Sequence, residues 1–290
     1  SFQPPPNQSE SSMRAFMQVD VFTSRPLFGN PVAVVLDADG LSDAEMQQMA
    51  QWTNLSETTF VLPPEDSAAS YRVRIFTPRA ELPFAGHPTL GTAHAALEAG
   101  RVTSVNGKLV QQCAVGLVEV SIDGAMRSFR LPRYAASPAP DEDRLAAALG
   151  GSAILADAPQ VLDVGPRWVI GEVTSAQALS ALAPDLAALA DYDRAQGTTG
   201  LTLFAITPQG ISVRSFAPAD GIAEDPVCGS GNGAVAAYRL LKGQIGDGDT
   251  YLASQGREVG RDGQVHIRIE GADVHVGGVC VTCVTGSLSI

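Results

Sequence analysis

The chain has 290 residues, 45% hydrophobic and 17% charged, with 29 glycines and 19 prolines, the profile of a turn-rich globular protein with room for two domains. A formal charge of −12 argues against nucleic acid as a partner and obliges any anionic ligand to find a local positive site. No apolar run approaches the about 18 residues that cross a bilayer, so no membrane partner is expected. The four cysteines, at 113, 228, 280 and 283, are too scattered for a disulfide scaffold and point to reduced thiols in the cytoplasm.

Residues 1–12 are polar and proline-rich without an apolar signal core, and read as a disordered arm or a non-native remnant ahead of Met13. Alternating β-branched and aromatic residues predict strands at 14–23 and 31–37, broken by the turn Phe28-Gly29-Asn30-Pro31. A helix capped by Ser42 follows over 42–53, then strands at 57–62 and 70–76 and a helix from Pro88 to Glu98 that stops before Gly100. Residues 108–131 read as three short strands, and the stretch from Tyr134 to Asp143 as a linker between domains. The second half repeats the plan, with a helix at 142–149, strands at 161–171, alanine-rich helices between Ser175 and Asp191 and strands at 201–207 and 211–217. A helix from Gly231 to Leu241 and strands at 250–254, 264–270 and 273 to the end complete it. One apolar helix per half, wrapped by strand clusters, predicts an α+β protein of two barrels, each with a central helix.

The repetition extends to motifs. Val73-Arg74-Ile75-Phe76-Thr77-Pro78 returns as Val213-Arg214-Ser215-Phe216-Ala217-Pro218, and each copy leads through a Glu-x-Pro-x-x-Gly segment into a helix. The strands lie 140 residues apart and the acidic residues, Glu81 and Glu224, lie 143 apart, so the second loop is three residues longer. Two matched halves meet along a pseudo-twofold axis, and the chemistry is expected where they face each other.

The loops before the two helices carry Gly86, His87 and Thr89 in one copy and Cys228, Gly229, Ser230 and Gly231 in the other. Glycine lets backbone N–H groups converge, and a helix N-terminus adds partial positive charge, so each loop is a cradle for a carboxylate. The alternative is tight helix packing alone. Glu57 opens a strand whose counterpart, near Thr199-Gly200-Leu201, has no acid or base; a strand-entry Glu is otherwise a surface residue. Asp225, His87 and Glu57 are the candidate proton-transfer groups, against the plainer roles of helix-entry carboxylate, capping imidazole and solvated side chain. No metal site is expected: His87 and His94 share a helix face without a third ligand, and Cys280-Val-Thr-Cys283 in a strand points its thiols to opposite faces.

The motifs Asp20-Val21-Phe22-Thr23, Phe28-Gly29-Asn30-Pro31, Ser56-Glu57-Thr58-Thr59-Phe60, Phe84-Ala85-Gly86-His87-Pro88-Thr89 and Glu224-Asp225-Pro226-Val227-Cys228-Gly229-Ser230 together resemble the PhzF-like (phenazine biosynthesis) family, from about Met13 to Ile290. The resemblance implies the diaminopimelate epimerase-like fold, with a first barrel domain at 13–134 plus 277–290, a second at 135–276, an active site between them and a homodimer. It implies a cofactor-free isomerase moving a proton on a small carboxylate-bearing metabolite, with Glu57 as general acid/base and His87, Asp225 and Ser230 holding or polarising substrate. Epimerases of the wider fold pair two cysteines across the site. Here Ala85 faces Cys228, which disfavours a two-thiol racemase and leaves open an epimerase or dehydratase using Cys228 with a lowered thiol pKa. A catalytically degenerate binding protein remains the alternative outside enzymes.

Overall fold

The computed structural model describes residues 13–151 and 154–290; the arm expected at 1–12 lies outside the described residues. The first half runs β1 (Met13–Val21), β2 (Asn30–Val35), α1 (Asp43–Thr53), β3 (Thr58–Leu62), β4 (Tyr71–Phe76), β5 (Glu81–Leu82), α2 (Gly86–Glu98), β6 (Lys108–Cys113), β7 (Gly116–Asp123) and β8 (Met126–Arg130). The second runs β9 (Ala135–Pro138), α3 (Glu142–Ala148), β10 (Gln160–Asp163), β11 (Arg167–Glu172), α4 (Ala176–Ala181), α5 (Leu186–Gln196), β12 (Gly200–Thr207) and β13 (Gly210–Ala217). It ends with β14 (Ile222–Asp225), α6 (Gly229–Leu241), β15 (Thr250–Gln255), β16 (Gly263–Glu270) and β17 (Asp273–Ser289).

The two halves repeat their pairing. β2 is parallel to β3 as β11 is to β12, and β4 is parallel to β6 as β13 is to β15. Antiparallel pairs fill the remaining steps. The 17-residue β17 serves both halves: its start pairs with β16, its middle with β8, and Cys280 to Ser289 run along β1. That last contact closes the first barrel, and the arrangement is the diaminopimelate epimerase-like fold.

Each barrel is filled by one helix that is apolar nearly all round, as a helix with no solvent face must be. In α2, Leu90, Ala93, Ala95 and Ala96 are fully buried, and Gly91 lets the helix seat against Val21 and Val32, where a Cβ would come within 2.4 Å of Val32. In α6, Ala234 to Tyr238 fill the second barrel, with Tyr238 packed edge-on to Phe204 at 5.8 Å.

The repeated motif is a clip. Arg74 on β4 forms a two-pronged ion pair with Glu81 on β5 (2.8 and 2.6 Å), and Arg214 on β13 does the same with Glu224 on β14 (2.9 and 2.8 Å). The guanidinium groups lie 5.1 Å from the ring of Phe76 and 5.0 Å from that of Phe216. Each clip pins the segment that leads into a glycine loop, and the fork of Arg is what makes the pairing directional. The longer loop of the second copy begins with a short 3-10 turn, Pro218–Asp220.

Three expectations shift. The Tyr134–Asp143 stretch contains β9, which pairs with β10 rather than hanging free. β5 and β14 are strands that local sequence does not announce, because they are two and four residues long and are held by their neighbours and the clips. Both central helices also begin two residues earlier than expected, at Gly86 and Gly229.

One buried acid stands apart from these features. Asp193 in α5 is fully buried; one oxygen accepts from the Thr198 hydroxyl at 2.7 Å and the other has no partner. Burial raises its pKa to about 6, so stability on its account is lost as pH climbs from the unfolded value of 3.8 through about 6. Asp193→Asn is therefore expected to raise the melting temperature at pH 7.5, with the gain shrinking toward pH 4. A lower melting temperature at pH 7.5 would show that the carboxylate is needed there.

Candidate active site

The two helix N-termini meet. A Cβ on Gly229 would lie 3.4 Å from the backbone nitrogen of His87 and 3.3 Å from the ring of Phe22. Gly86, His87, Gly229 and Ser230 are first-turn residues, so their N–H groups have no partner within their own helices. Four donors and the positive ends of two helix dipoles thus share one junction, the local positive site that a chain of net charge −12 requires.

Glu57, just before β3, points into this junction: its Oε2 lies 3.4 Å from Nε2 of His87. Both atoms are buried and neither makes a hydrogen bond. Burial raises the Glu57 carboxyl to about 7, opposed by a hydrogen bond from Ser56. Burial lowers His87 to about 4, opposed by the charge of Asp225 and by a hydrogen bond to the Pro31 carbonyl. At neutral pH the imidazole is therefore uncharged, and the short Glu57–His87 approach is a contact between a half-protonated acid and a neutral ring, not an ion pair. Unpaired buried polar atoms cost about 1–3 kcal/mol each, and a pair of them aimed at each other marks a place where the fold tolerates instability.

Asp225 completes the group from the other half. Its Oδ1 accepts from Asn30 Nδ2 (3.1 Å) and from the Val227 N–H (3.0 Å). Burial pushes it up to about 6; Glu57 adds to the rise, and His87 and the Cys228 thiol oppose it. With Glu57 it forms a pair of carboxyls poised near neutrality on either side of a neutral histidine. Ser230 Oγ accepts from the indole N–H of Trp168 at 3.0 Å and lies 3.6 Å from Cys228 Sγ.

Cys228 does not behave as a helix-end position suggests. It is the N-cap of α6, its Sγ accepts from Gly231 N–H at 3.2 Å and touches Ser230 Oγ at 3.6 Å. Burial first, and then the charge of Asp225, raise its pKa well above the ordinary thiol value. The expected lowering is overturned: desolvation outweighs the helix dipole. Alkylation of Cys228 by iodoacetamide at pH 8 is expected to be more than about tenfold slower than that of a free cysteine, because only the thiolate reacts. Labelling at the free-thiol rate would return Cys228 to the list of nucleophiles.

Two predicted ligand positions fall elsewhere. The Thr89 hydroxyl accepts from Gln111 at 2.9 Å and its N–H bonds to Ala85, all within the core. The N–H of Gly231 is taken by Cys228, and a Cβ there would strike Thr202 and Ser215. Local sequence does not mark Asn30, Trp168 or Gln255 as site residues, although Asn30 lies within the Phe28-Gly29-Asn30-Pro31 motif. Gln255 accepts from the N–H of Cys228 at 3.1 Å and donates to the carbonyl of Asp225 at 3.0 Å.

Two cavities lie away from this chemistry. One of about 450 Å³ is lined on the outer barrel face by Leu252, His266, Arg268 and His275, among others. Another of about 480 Å³ lies by Ser70 and Val105. At the junction itself the Glu57 side chain is 14% exposed and that of His87 7%, so both are largely shielded from bulk water. Among the described residues no three His, Cys, Asp or Glu side chains gather as a metal site would need, and no helix is long and apolar enough to cross a membrane.

A family model described as phenazine biosynthesis-like protein matches residues 19–286. This chain belongs to the PhzF family. Trans-2,3-dihydro-3-hydroxyanthranilate isomerase of Pseudomonas aeruginosa is 38% identical over 277 residues, covering 93% of this chain and 95% of that protein. Antisense-enhancing sequence 1 of Schizosaccharomyces pombe is 39% identical over 289 residues, covering 94% and 97%. The crystal structure of a PhzF-family protein from Bacillus anthracis superposes with a TM-score of 0.83 at 23% identity, over 96% of this chain and 100% of that one, and shows the fold. The chain is accordingly an enzyme of the isomerase class, within the PhzF family.

Proposed function

We propose that the protein moves a proton between two carbons of a small, carboxylate-bearing unsaturated metabolite, with Glu57 as the single general acid/base in the cleft between the halves. The observation that carries this is the carboxyl of Glu57 poised at about 7 opposite a neutral His87. A group titrating near working pH can take a proton and give it back with least loss in either direction.

In this reading the free N–H groups of Gly86, His87, Gly229 and Ser230 receive the substrate carboxylate. Their fixed dipoles stabilise charge as the carbon loses its proton. Asp225 and His87 hold the polar substituents of the substrate, and Ser230 donates a hydrogen bond set by Trp168. Closure of the halves expels water and keeps the abstracted proton on Glu57 until it is returned to the second carbon. The substrate class follows the isomerase names of the relatives: trans-2,3-dihydro-3-hydroxyanthranilate, or a cyclic acid with the same allylic C–H, is the first compound to test. An epimerase would need a second base facing Glu57 from the other half, and the strand register, with Thr58 opposite Phe76 and Leu201 opposite Phe216, makes Gly200, which has no side chain, the position equivalent to Glu57. The test is solvent deuterium incorporation, followed by mass spectrometry and NMR across a panel of unsaturated and amino acids; a label appearing only at the α-carbon of amino acids would replace this reading with epimerisation.

A further inference from the structure

The turn Phe28-Gly29-Asn30-Pro31 reaches all three candidate proton-transfer groups. The Asn30 side chain is 1% exposed and spends its amide on the second half of the molecule, donating to Asp225 Oδ1 at 3.1 Å and to the Val227 carbonyl at 2.9 Å. The next carbonyl, of Pro31, accepts from the ring of His87. Two residues further, the Ala33 N–H bonds to the carbonyl of Glu57 at 3.4 Å. The turn itself cannot drift: a Cβ on Gly29 would lie 2.3 Å from the Val21 carbonyl, the Phe28 carbonyl accepts from Asp262, and that of Gly29 accepts from Arg261.

We propose that Asn30 is a positioning residue that holds Asp225 in register with His87 and Glu57 across the junction, so that groups from both halves act as one set. The proposal rests on the acid/base reading above. It differs from a packing role because the amide donates to an ionisable oxygen. The charged and titratable groups facing Asp225 are His87 from α2, Glu57 from the entry to β3 and the Cys228 thiol at the head of α6; Asn30 is the neutral side chain among them and bonds the carboxylate directly. Removing its donor withdraws support from the charged form and raises the pKa of Asp225.

The experiment compares wild type with Asn30→Ala, Asn30→Ser and Asn30→Asp, and reads two quantities. The first needs no substrate: the carboxyl ¹³C titration of Asp225, assigned with Asp225→Asn. Its midpoint is expected to rise by about one unit in Asn30→Ala. The rise should be smaller in Asn30→Ser, which keeps one donor, and larger in Asn30→Asp, which sets a second carboxyl against the first. The second is deuterium exchange into trans-2,3-dihydro-3-hydroxyanthranilate, where kcat is expected to fall by about tenfold or more with KM nearly unchanged, the mark of an interaction made in the transition state. Loss of activity with an unmoved Asp225 midpoint would overturn the proposal and leave Asn30 as packing. An unmoved midpoint in all three variants would do the same whatever the kinetics. If wild type exchanges nothing on this compound, the functional reading suffers, whereas the titration still decides the role of Asn30. Asn30→Ser covers the case in which the alanine variant fails to fold.

Discussion

Glu57→Gln is expected to lower the rate of solvent deuterium exchange into substrate by about 10²–10⁴-fold, the usual contribution of a general acid/base, and to stabilise the fold at the same time. Glutamine keeps the shape and loses the proton. The sign of the stability change follows from linkage. A carboxyl at about 7 in the folded state, against 4.5 when free, holds its proton more tightly when folded. Its favourable contribution is therefore complete below pH 4.5 and is lost as pH rises through 7. The shift corresponds to about 3 kcal/mol above pH 7, which the amide escapes. Denaturation midpoints of the two proteins should coincide near pH 4.5 and separate by pH 8, with the variant the more stable. His87 works in the opposite sense: with its pKa lowered to about 4, its contribution is present above 6.5 and is lost as pH falls through 4. An unchanged exchange rate in Glu57→Gln on a compound that wild type turns over would remove Glu57 from the mechanism.

Arg214→Ala is expected to cost about 3–5 kcal/mol, enough to unfold many domains, because it strands a buried charge. The Arg214 side chain is 8% exposed and that of Glu224 10%. Besides Glu224, Arg214 holds the carbonyls of Leu179 (3.0 Å) and Leu182 (2.6 Å) at the end of α4. Its counterpart is wetter: Arg74 is 23% exposed and its partners Glu81 and Asp43 are 38% and 84% exposed. Arg74→Ala should cost about 1 kcal/mol, in the range of surface pairs. The two variants are an internal comparison, since motif, two-pronged geometry and aromatic neighbour are shared, while burial and the remaining partners, backbone carbonyls for Arg214 and Asp43 for Arg74, differ. Urea unfolding of both checks it; equal losses would mean that burial does not govern the strength of the clip. Arg214→Met combined with Glu224→Met should recover much of the loss by leaving no orphaned charge.

The sequence disclosed the frame through its repetition. Two copies of one motif fixed the two-barrel plan, the facing glycine loops and the absence of an acid opposite Glu57, all of which depend on residue type at a given spacing. What stayed hidden depends on distance through space. Nothing near Asn30 in the chain reveals that it bonds Asp225, 195 residues away, and nothing near Trp168 points to Ser230. The direction of the Cys228 shift was hidden for the same reason: a helix start is visible in sequence, but the barrel wall that strips water from it is not. Thr89 would lie in the exposed first turn of a helix starting at Pro88; with the helix beginning at Gly86 it is the fourth residue, its N–H is taken by the Ala85 carbonyl and its side chain is buried.

The path of β17 bears on how the chain reaches this structure. The strand that seals the first barrel against β1 is made of Cys280 to Ser289, which emerges after every other described strand, and Met13 meets Ser289 at the far end of that seam. During translation the first half therefore waits with its β1 edge, and the β8 edge that β17 also covers, open to other chains. Pairing β1 with β17 carries a long-range closure that slows folding relative to local contacts. Exposed strand edges invite intermolecular pairing in the interval. Truncation by even ten residues at the C-terminus would thus remove a wall of the first barrel, although those residues belong by position to the second half of the chain.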